Sequence, residues 1–352
     1  MSTWPEEVAV LGLGLCTPLG LTARTTQVEM AAGTVRFFLT EVLDRKGEPL
    51  RASRLTLLEP HRTRSERMGA LATTALHDCL KEARVEKTEP LPLVLALPTP
   101  GSGPAVDEES LLRALAEVAA PARLQVRPEG LCRDGRAGFF VALARAMELL
   151  LSGHARRVVV GAVDSLCDPG SLEHLLARRR LLCSSAREGI LPGEGAGFVL
   201  LARASAPRRD GPRAQGRIHA LALAKEPRHR LQTEPSLAEG LTSVFRQLHA
   251  HPAAGSRRVA HVLSCQTGEA YWGHEFNRAY LRNAALMPEP LVGHLVAESQ
   301  GDVGAGAGAI QLGHALHVLG ELDPEHEQAL RALVYGCSDE GRVGAFIISR
   351  ET

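Results

Sequence analysis

Residues 301–316 read GDVGAGAGAIQLGHAL, a glycine–alanine run that opens an apolar, helix-like stretch. Alternating small residues remove side-chain bulk where a helix begins, so the run predicts a helix over 304–319 whose start packs closely between layers. Gly304, Gly306 and Ala309 also fit the glycine spacing of a dinucleotide-binding turn. That turn needs a strand directly before it, and AESQGDV (297–303) is a poor strand. Close packing is the better account, and no cofactor is expected. Asp302 interrupts the small residues. A carboxylate just before Gly304 accepts backbone N–H groups and meets the positive end of a helix dipole.

Working outward, short β-rich runs alternate with longer helical ones, the rhythm of an α/β protein. EVAVLGLGL, PLVLALP, RRVVVGAV and GFVLLARA predict strands, and 67–84 and 136–152 predict helices. The Pro-, Arg- and Gly-rich stretch ARASAPRRDGPRAQGR then marks a connector. Beyond it RIHALALA, RVAHVLSC, RALVYGC and GAFIISR predict strands, with helices at 236–250, 274–286 and 304–319. The expected organisation is therefore a first half over 1–203, a connector over 204–216 and a second half over 217–352. GEGAGFVLLAR (193–203) and GRVGAFIISR (341–350) are weak internal echoes, each closing its half.

Lysine plus arginine equals aspartate plus glutamate at forty each, so bulk charge offers no case for nucleic acid or an anionic membrane as partner. Arg178–Arg180 and Arg208–Arg213 are most simply solvated surface clusters. No uninterrupted apolar stretch reaches membrane-spanning length, and the acidic flank of MSTWPEEVAVLGLG is unlike a secretory signal. The seven cysteines are scattered with no C-x-x-C pair, which favours a reducing cytoplasm over a disulfide framework and argues against structural zinc.

Five stretches in order resemble the β-ketoacyl synthase branch of the thiolase-like superfamily: VAVLGLGLCTPLGLT (8–22), SERMGALATTALHDCLKEA (65–83), ALARAMELLLSGHARRVVVGAVDSL (142–166), EGILPGEGAGFVLLAR (188–203) and the opening run. The resemblance implies an α/β fold of two similar halves in five layers, α-β-α-β-α, with mixed sheets. It also implies a dimer and a condensing reaction on acyl thioesters, carried by a cysteine thiolate at the start of a buried helix and two histidines. The helix dipole and backbone N–H groups lower the thiol pKa and form an oxyanion hole.

The three positions that the resemblance assigns to this triad hold other residues. Counting back from Gly153 places the nucleophile at Arg136–Ala137, where the chain has no cysteine; Cys132, in LCRDG, lies about one helical turn early. In VAHVLSCQTGEAYWGHEFNRAYL (259–281), Cys265 stands where the first histidine belongs, and a thiol cannot replace an imidazole there. His274 follows at the start of the next helix, and His261 lies in the strand. Asp302 takes the second histidine position, where a carboxylate would repel the enolate; a competing register offers Gly293-His294. The family's glycine-phenylalanine turn is replaced by GCSDEGRVG (336–344), and the lysine expected before the second histidine is absent.

These substitutions predict a ketosynthase-like scaffold without condensing activity, either a partner subunit that shapes a cavity, as chain-length factors do, or an adaptor. The alternative is an acyltransferase or 3-oxoacyl synthase of fatty acid or polyketide biosynthesis with a relocated nucleophile, Cys132 or Cys265, and His274 or His294 as base. The expected partners are a second copy or a ketosynthase-like subunit, and an acyl carrier protein or other protein client.

Overall fold

A computed structural model describes residues 7–85, 90–120, 122–205, 213–254, 257–321 and 331–351. The first half runs β1 (Val8–Cys16), α1 (Ala23–Ala31), β2 (Phe38–Leu43), β3 (Pro49–Ala52), α2 (Arg64–Glu82), β4 (Pro90–Ala96), α3 (Glu108–Val118), β5 (Arg123–Cys132), α4 (Gly138–Leu151), β6 (Arg157–Ser165), α5 (Pro169–Ala177) and β7 (Glu194–Arg203). The second runs β8 (Gly216–Lys225), α6 (Glu239–Ala250), β9 (His261–Ser264), α7 (Ala270–Arg282), β10 (Gly293–Leu295), α8 (Val296–Gln300), α9 (Ala307–Gly320), β11 (Arg331–Cys337) and β12 (Arg342–Arg350). Part of the expected connector, 206–212, lies outside the described residues, as does most of the Arg208–Arg213 cluster.

Ten strands form one hydrogen-bonded series, β10-β9-β11-β12-β8-β1-β7-β6-β4-β5, while β2 and β3 form a separate hairpin. From the centre outward, β1-β7-β6-β4-β5 and β8-β12-β11-β9-β10 share one pattern of two antiparallel pairings followed by two parallel ones. The echoing segments are thus the equivalent strands β7 and β12. A short antiparallel seam, Val8 opposite Ile218 to Val10 opposite Gly216, joins the two sets.

Successive strand side chains point to opposite faces, and this alternation builds the layers. Val158, Val160 and Ala162 of β6 pack inward with α4 and α9, whereas Val159 and Val163 pack outward with α2 and α3. In the second set Val334 and Phe346 face inward, and Leu333, Tyr335 and Ile347 face α6 and α7. The layer order is α2/α3, sheet, α4/α9, sheet, α6/α7, the five-layered α-β-α-β-α architecture expected. Among the described residues no helix is long and apolar enough to cross a membrane.

Local chemistry explains the boundaries. Thr63 and Glu66 cap α2 reciprocally, starting it three residues before the expected helix. Helix α7 begins at Ala270, not 274, because Trp272, Phe276 and Ala279 set its buried face at helical spacing. Strand β5 went unrecognised: it carries Arg123, Arg127, Pro128 and Glu129 on an open edge, where charge and proline replace the alternating apolar pattern.

Helix α9 shows why the opening run is built of small residues. Both middle-layer helices follow a single 3-10 turn, Gly135–Ala137 before α4 and Gly304–Gly306 before α9. A Cβ on Gly308 would lie 2.7 Å from Phe139 Cβ, so the two helices meet backbone against ring. The short helix α8, not a strand, precedes the run. Gly308→Ala should therefore destabilise the chain by about 1–3 kcal/mol through overpacking. Gly293→Ala, where nothing lies within 4 Å, should change stability by less than about 0.5 kcal/mol. Chemical denaturation of the two variants measures the difference.

Candidate functional site

The 3-10 turns before α4 and α9 bring Arg136 and Asp302 together in the middle of the molecule. Gly304 takes φ +52°, and a Cβ there would lie 2.1 Å from Asp164 Oδ2, so only glycine permits the turn. Asp302 is fixed through its backbone: its N–H donates to Leu191 O (2.8 Å), and Gly193 N–H donates to its carbonyl (2.9 Å). One carboxylate oxygen accepts the Gly304 N–H at 2.9 Å, as its place before the helix predicted. The other accepts from Arg136 Nη1 at 2.6 Å.

Arg136 is 7 % exposed. Its Nη2 donates to Asp339 Oδ1 at 2.6 Å, its Nε to the Cys337 carbonyl at 3.4 Å, and its guanidinium lies 4.7 Å from the Trp272 ring centre. From there the charges alternate. Asp339 Oδ2 accepts from Arg180 Nη1 (2.5 Å), Arg180 Nη2 donates to Glu269 Oε2 (2.6 Å), and Arg230 Nη2 donates to Glu269 Oε1 (3.0 Å). Trp272 Nε1 also donates to Glu269, at 3.1 Å.

Burial alone would lower the Arg136 pKa, but Asp302 and Asp339 outweigh it and raise the pKa well above its ordinary value. Burial likewise opposes ionisation of Asp339, yet Arg136 and Arg180 hold its carboxyl at about 2. Glu269 is lowered against its burial by Arg180, Arg136 and Arg230. A cavity of about 290 Å³ opens over this chain of ions, lined by Thr99, Ser102, Arg136, Asp164, Asp302 and Asp339 among others. It is a polar chamber with a neutralised floor.

Of the residues singled out from the sequence, Arg136, Cys265 and Asp302 come together. Cys265 is buried near Arg136, and its sulfur accepts the Cys337 backbone N–H at 3.1 Å. Hydrogen bonding from the Cys337 thiol, opposed by burial and aided by Arg136, lowers its pKa. Ala137 is fully buried at the end of the turn before α4. Cys132 ends β5 facing the middle layer, outside the residues lining the chamber; burial pushes its thiol up to about 11.

The histidines lie elsewhere. His274 sits one turn inside α7 rather than at its start, and it is exposed, because the buried face belongs to Trp272, Glu275 and Phe276. His294 Nε2 lies 3.0 Å from His261 Nδ1, and its ring packs on His314 with centres 5.1 Å apart. Burial pushes His261 down to about 4 and His314 to about 3. Among the described residues no hydrogen bond joins His261, His274, His294 or His314 to a cysteine sulfur. Among the described residues no three His, Cys, Asp or Glu side chains are arranged to hold a metal.

Sequence inspection missed Arg180 and Glu269. Arg178 and Arg179 are exposed as expected of a solvated cluster, but Arg179 at φ +55° turns the chain after α5, and Arg180 points inward with its side chain 14 % exposed. Asp339 was legible only as one residue of GCSDEGRVG (336–344); in the fold it bridges two arginines, Arg136 and Arg180.

Removing Arg136 leaves Asp302 without a cationic partner and Asp339 with Arg180 alone. Arg136→Met should cost about 3–5 kcal/mol in chemical denaturation, and combining it with Asp302→Asn and Asp339→Asn should recover most of the loss. The pH response follows from Asp339, whose carboxyl titrates below the ordinary value of about 3.9. Its depressed pKa contributes stability that is present above about pH 4 and is lost as pH falls toward about 2. Unfolding midpoints measured across that window should fall more steeply for the wild type than for Asp339→Asn.

The model for the beta-ketoacyl synthase N-terminal domain matches residues 137–206, from the start of α4 through β7. A non-reducing polyketide synthase, dpmpA, of Macrophomina phaseolina (strain MS6) is 29 % identical over 189 residues, 51 % of this chain; the match spans only 8 % of that relative's length. The ishigamide ketosynthase/chain length factor superposes with a TM-score of 0.78 at 16 % identity, covering 99 % of this chain and 100 % of that one. A type II polyketide synthase acyl-carrier protein in complex with its ketosynthase, AntDE:AntF, gives 0.76 at 14 % identity, with 99 % and 100 % covered. At these identities the structural likeness speaks for the fold. The chain is thus similar to β-ketoacyl synthases in sequence over residues 137–206 and to ketosynthases in fold over nearly its whole length.

Proposed function

We propose that this chain is a ketosynthase-like subunit without condensing activity, working beside a ketosynthase-like partner on chains carried by an acyl carrier protein. The Arg136–Asp302 ion pair carries this reading. A condensing enzyme needs an ionisable thiol at the start of α4, with backbone N–H groups free to meet an oxyanion. Here that place holds a guanidinium, which offers no lone pair for attack, and it is already engaged by Asp302 and Asp339. Asp302 brings negative charge where an enolate would develop, and Cys265 offers a thiol where an imidazole would donate. The degenerate triad of this proposal is therefore Arg136 (with Ala137 beside it), Cys265 and Asp302, divided between halves spanning 1–203 and 217–352.

Several observations support a partner role. The five layers are retained in full while a polar chamber of about 290 Å³ persists over the ion pairs. The ishigamide neighbour pairs a ketosynthase with a chain length factor, and the AntDE:AntF neighbour pairs a ketosynthase with a carrier protein. The seven cysteines are all unbridged, in keeping with action in the cytoplasm.

The purified chain, given malonyl- and acyl-loaded carrier protein, should neither decarboxylate malonyl groups nor release a condensation product above the protein-free rate. Mass spectrometry should find no acyl adduct on any cysteine. Decarboxylation or acylation that disappears in Cys132→Ala or Cys265→Ala would overturn the proposal in favour of a relocated nucleophile. The variant Arg136→Cys/Cys265→His/Asp302→His should gain malonyl decarboxylation if the scaffold has lost only its triad.

A further inference from the structure

Behind the chamber floor lies a second cluster that the ion pairs do not use. Cys265 follows β9 and Cys337 ends β11, neighbouring parallel strands whose register sets Ser264 opposite Tyr335. The Cys337 backbone N–H donates to Cys265 Sγ at 3.1 Å, and both side chains belong to one buried cluster. The carboxyl of Glu275, which is 2 % exposed and accepts from Ser236 Oγ at 3.1 Å, lies close enough to Cys337 to raise its thiol pKa. The row therefore reads Cys265, Cys337, Glu275, with Arg136 flanking the first thiol.

This is the geometry of a dithiol with its own proton acceptor. Continuing that register, Cys265 lies opposite Gly336 and Cys337 is its diagonal neighbour. A strand spacing of about 4.8 Å with an offset of about 3.3 Å leaves the pair about 6 Å apart, inside the usual disulfide Cα separation of about 4.4–6.8 Å. The two thiols are also inequivalent. The Cys337 hydrogen bond, opposed by burial and joined by Arg136, lowers the Cys265 pKa; the bond to Cys265, burial and Glu275 raise that of Cys337. Burial lifts Glu275 to about 6, with the Cys337 hydrogen bond opposing it and Glu226 adding to it, which suits the carboxyl to take and return a proton near neutrality. Arg136 and Ser338, the neighbours of the pair, line the chamber, so a small oxidant has a short way in.

We infer that Cys265 and Cys337 form a peroxide-responsive dithiol site, with Cys265 attacking, Cys337 resolving and Glu275 carrying the proton. The Cys265 thiolate attacks one peroxide oxygen, the O–O bond breaks, and the departing hydroxide takes up the proton released by the Cys265 thiol, leaving a sulfenic acid and water. The Cys337 thiol then gives its proton to Glu275, and its sulfur attacks Cys265. The S–O bond breaks, and the second hydroxide recovers the proton from Glu275 as water. Two thiols and one peroxide become one disulfide and two waters, two electrons passing from sulfur to oxygen. The site is independent of whether the chain condenses acyl groups.

Full-length chain is exposed to hydrogen peroxide, unfolded, alkylated and mapped by mass spectrometry. The wild type should lose the mass of two hydrogens and yield a Cys265–Cys337 crosslinked peptide that a dithiol reductant reverses. Protection of these two thiols should run at least about tenfold faster than modification of Cys183, the least buried cysteine. Cys337→Ser should stop at a Cys265 sulfenic acid that a 1,3-dione probe traps, and Glu275→Gln should let the same intermediate accumulate. Consumption of Cys183 while Cys265 and Cys337 remain alkylatable in the wild type would overturn the proposal, whatever the variants do. So would a crosslink that forms at an unchanged rate in Glu275→Gln with no trapped intermediate.

Discussion

The ion pair between Arg136 and Asp302 is the constraint around which the middle of this molecule is arranged. A guanidinium that deep in the fold is tolerable only with carboxylates in hydrogen-bond contact, and Asp302 and Asp339 supply them. Asp302 can serve because Gly304 turns the chain into α9 at φ +52°, and Arg136 can reach it because Gly135 adopts the same φ of +52° before α4. Each buried helix thus enters through a matching glycine turn. The charges meet where the two turns touch.

A buried ion pair seldom stabilises a fold more than well-packed apolar residues would, although the loss of one partner is severe. The value of this chain of charges lies in its geometry. Arg136 offers planar, directional donors to two carboxylates, stacks on Trp272, and holds the segment around Cys337 through that residue's carbonyl. The chamber floor is therefore held by Arg136 and Asp302 from the turns before α4 and α9, by Trp272 of α7 and by the turn after β11. Such a floor keeps a cavity's shape.

Much of this was legible in the chain. Strands with continuous apolar runs, such as RRVVVGAV and RALVYGC, sit where both faces are covered, so burial wrote itself into composition. The glycine–alanine run betrayed the tight start of α9, and the register that set Arg136 against Asp302 pointed to one chamber, with Cys265 buried behind its lining. Other features left no such trace. Edge strand β5 lacks the alternation that burial imposes, α7 began a turn early because its apolar face rather than its polar residues set its limits, and His274 consequently turned outward. Arg180 looked like its exposed neighbours, since a single left-handed residue at Arg179 decides which way it points.

The alternating ions also link the histories of the two halves. Arg136 and Arg180 belong to the first half, whereas Glu269, Asp302 and Asp339 belong to the second. Neither set is tolerable alone, for each would bury charge of one sign. A recombinant that joined residues 1–203 to the second half of a relative with different pocket residues would inherit two arginines without their carboxylates. Although the strand order of the halves looks interchangeable, the charges make them a matched pair.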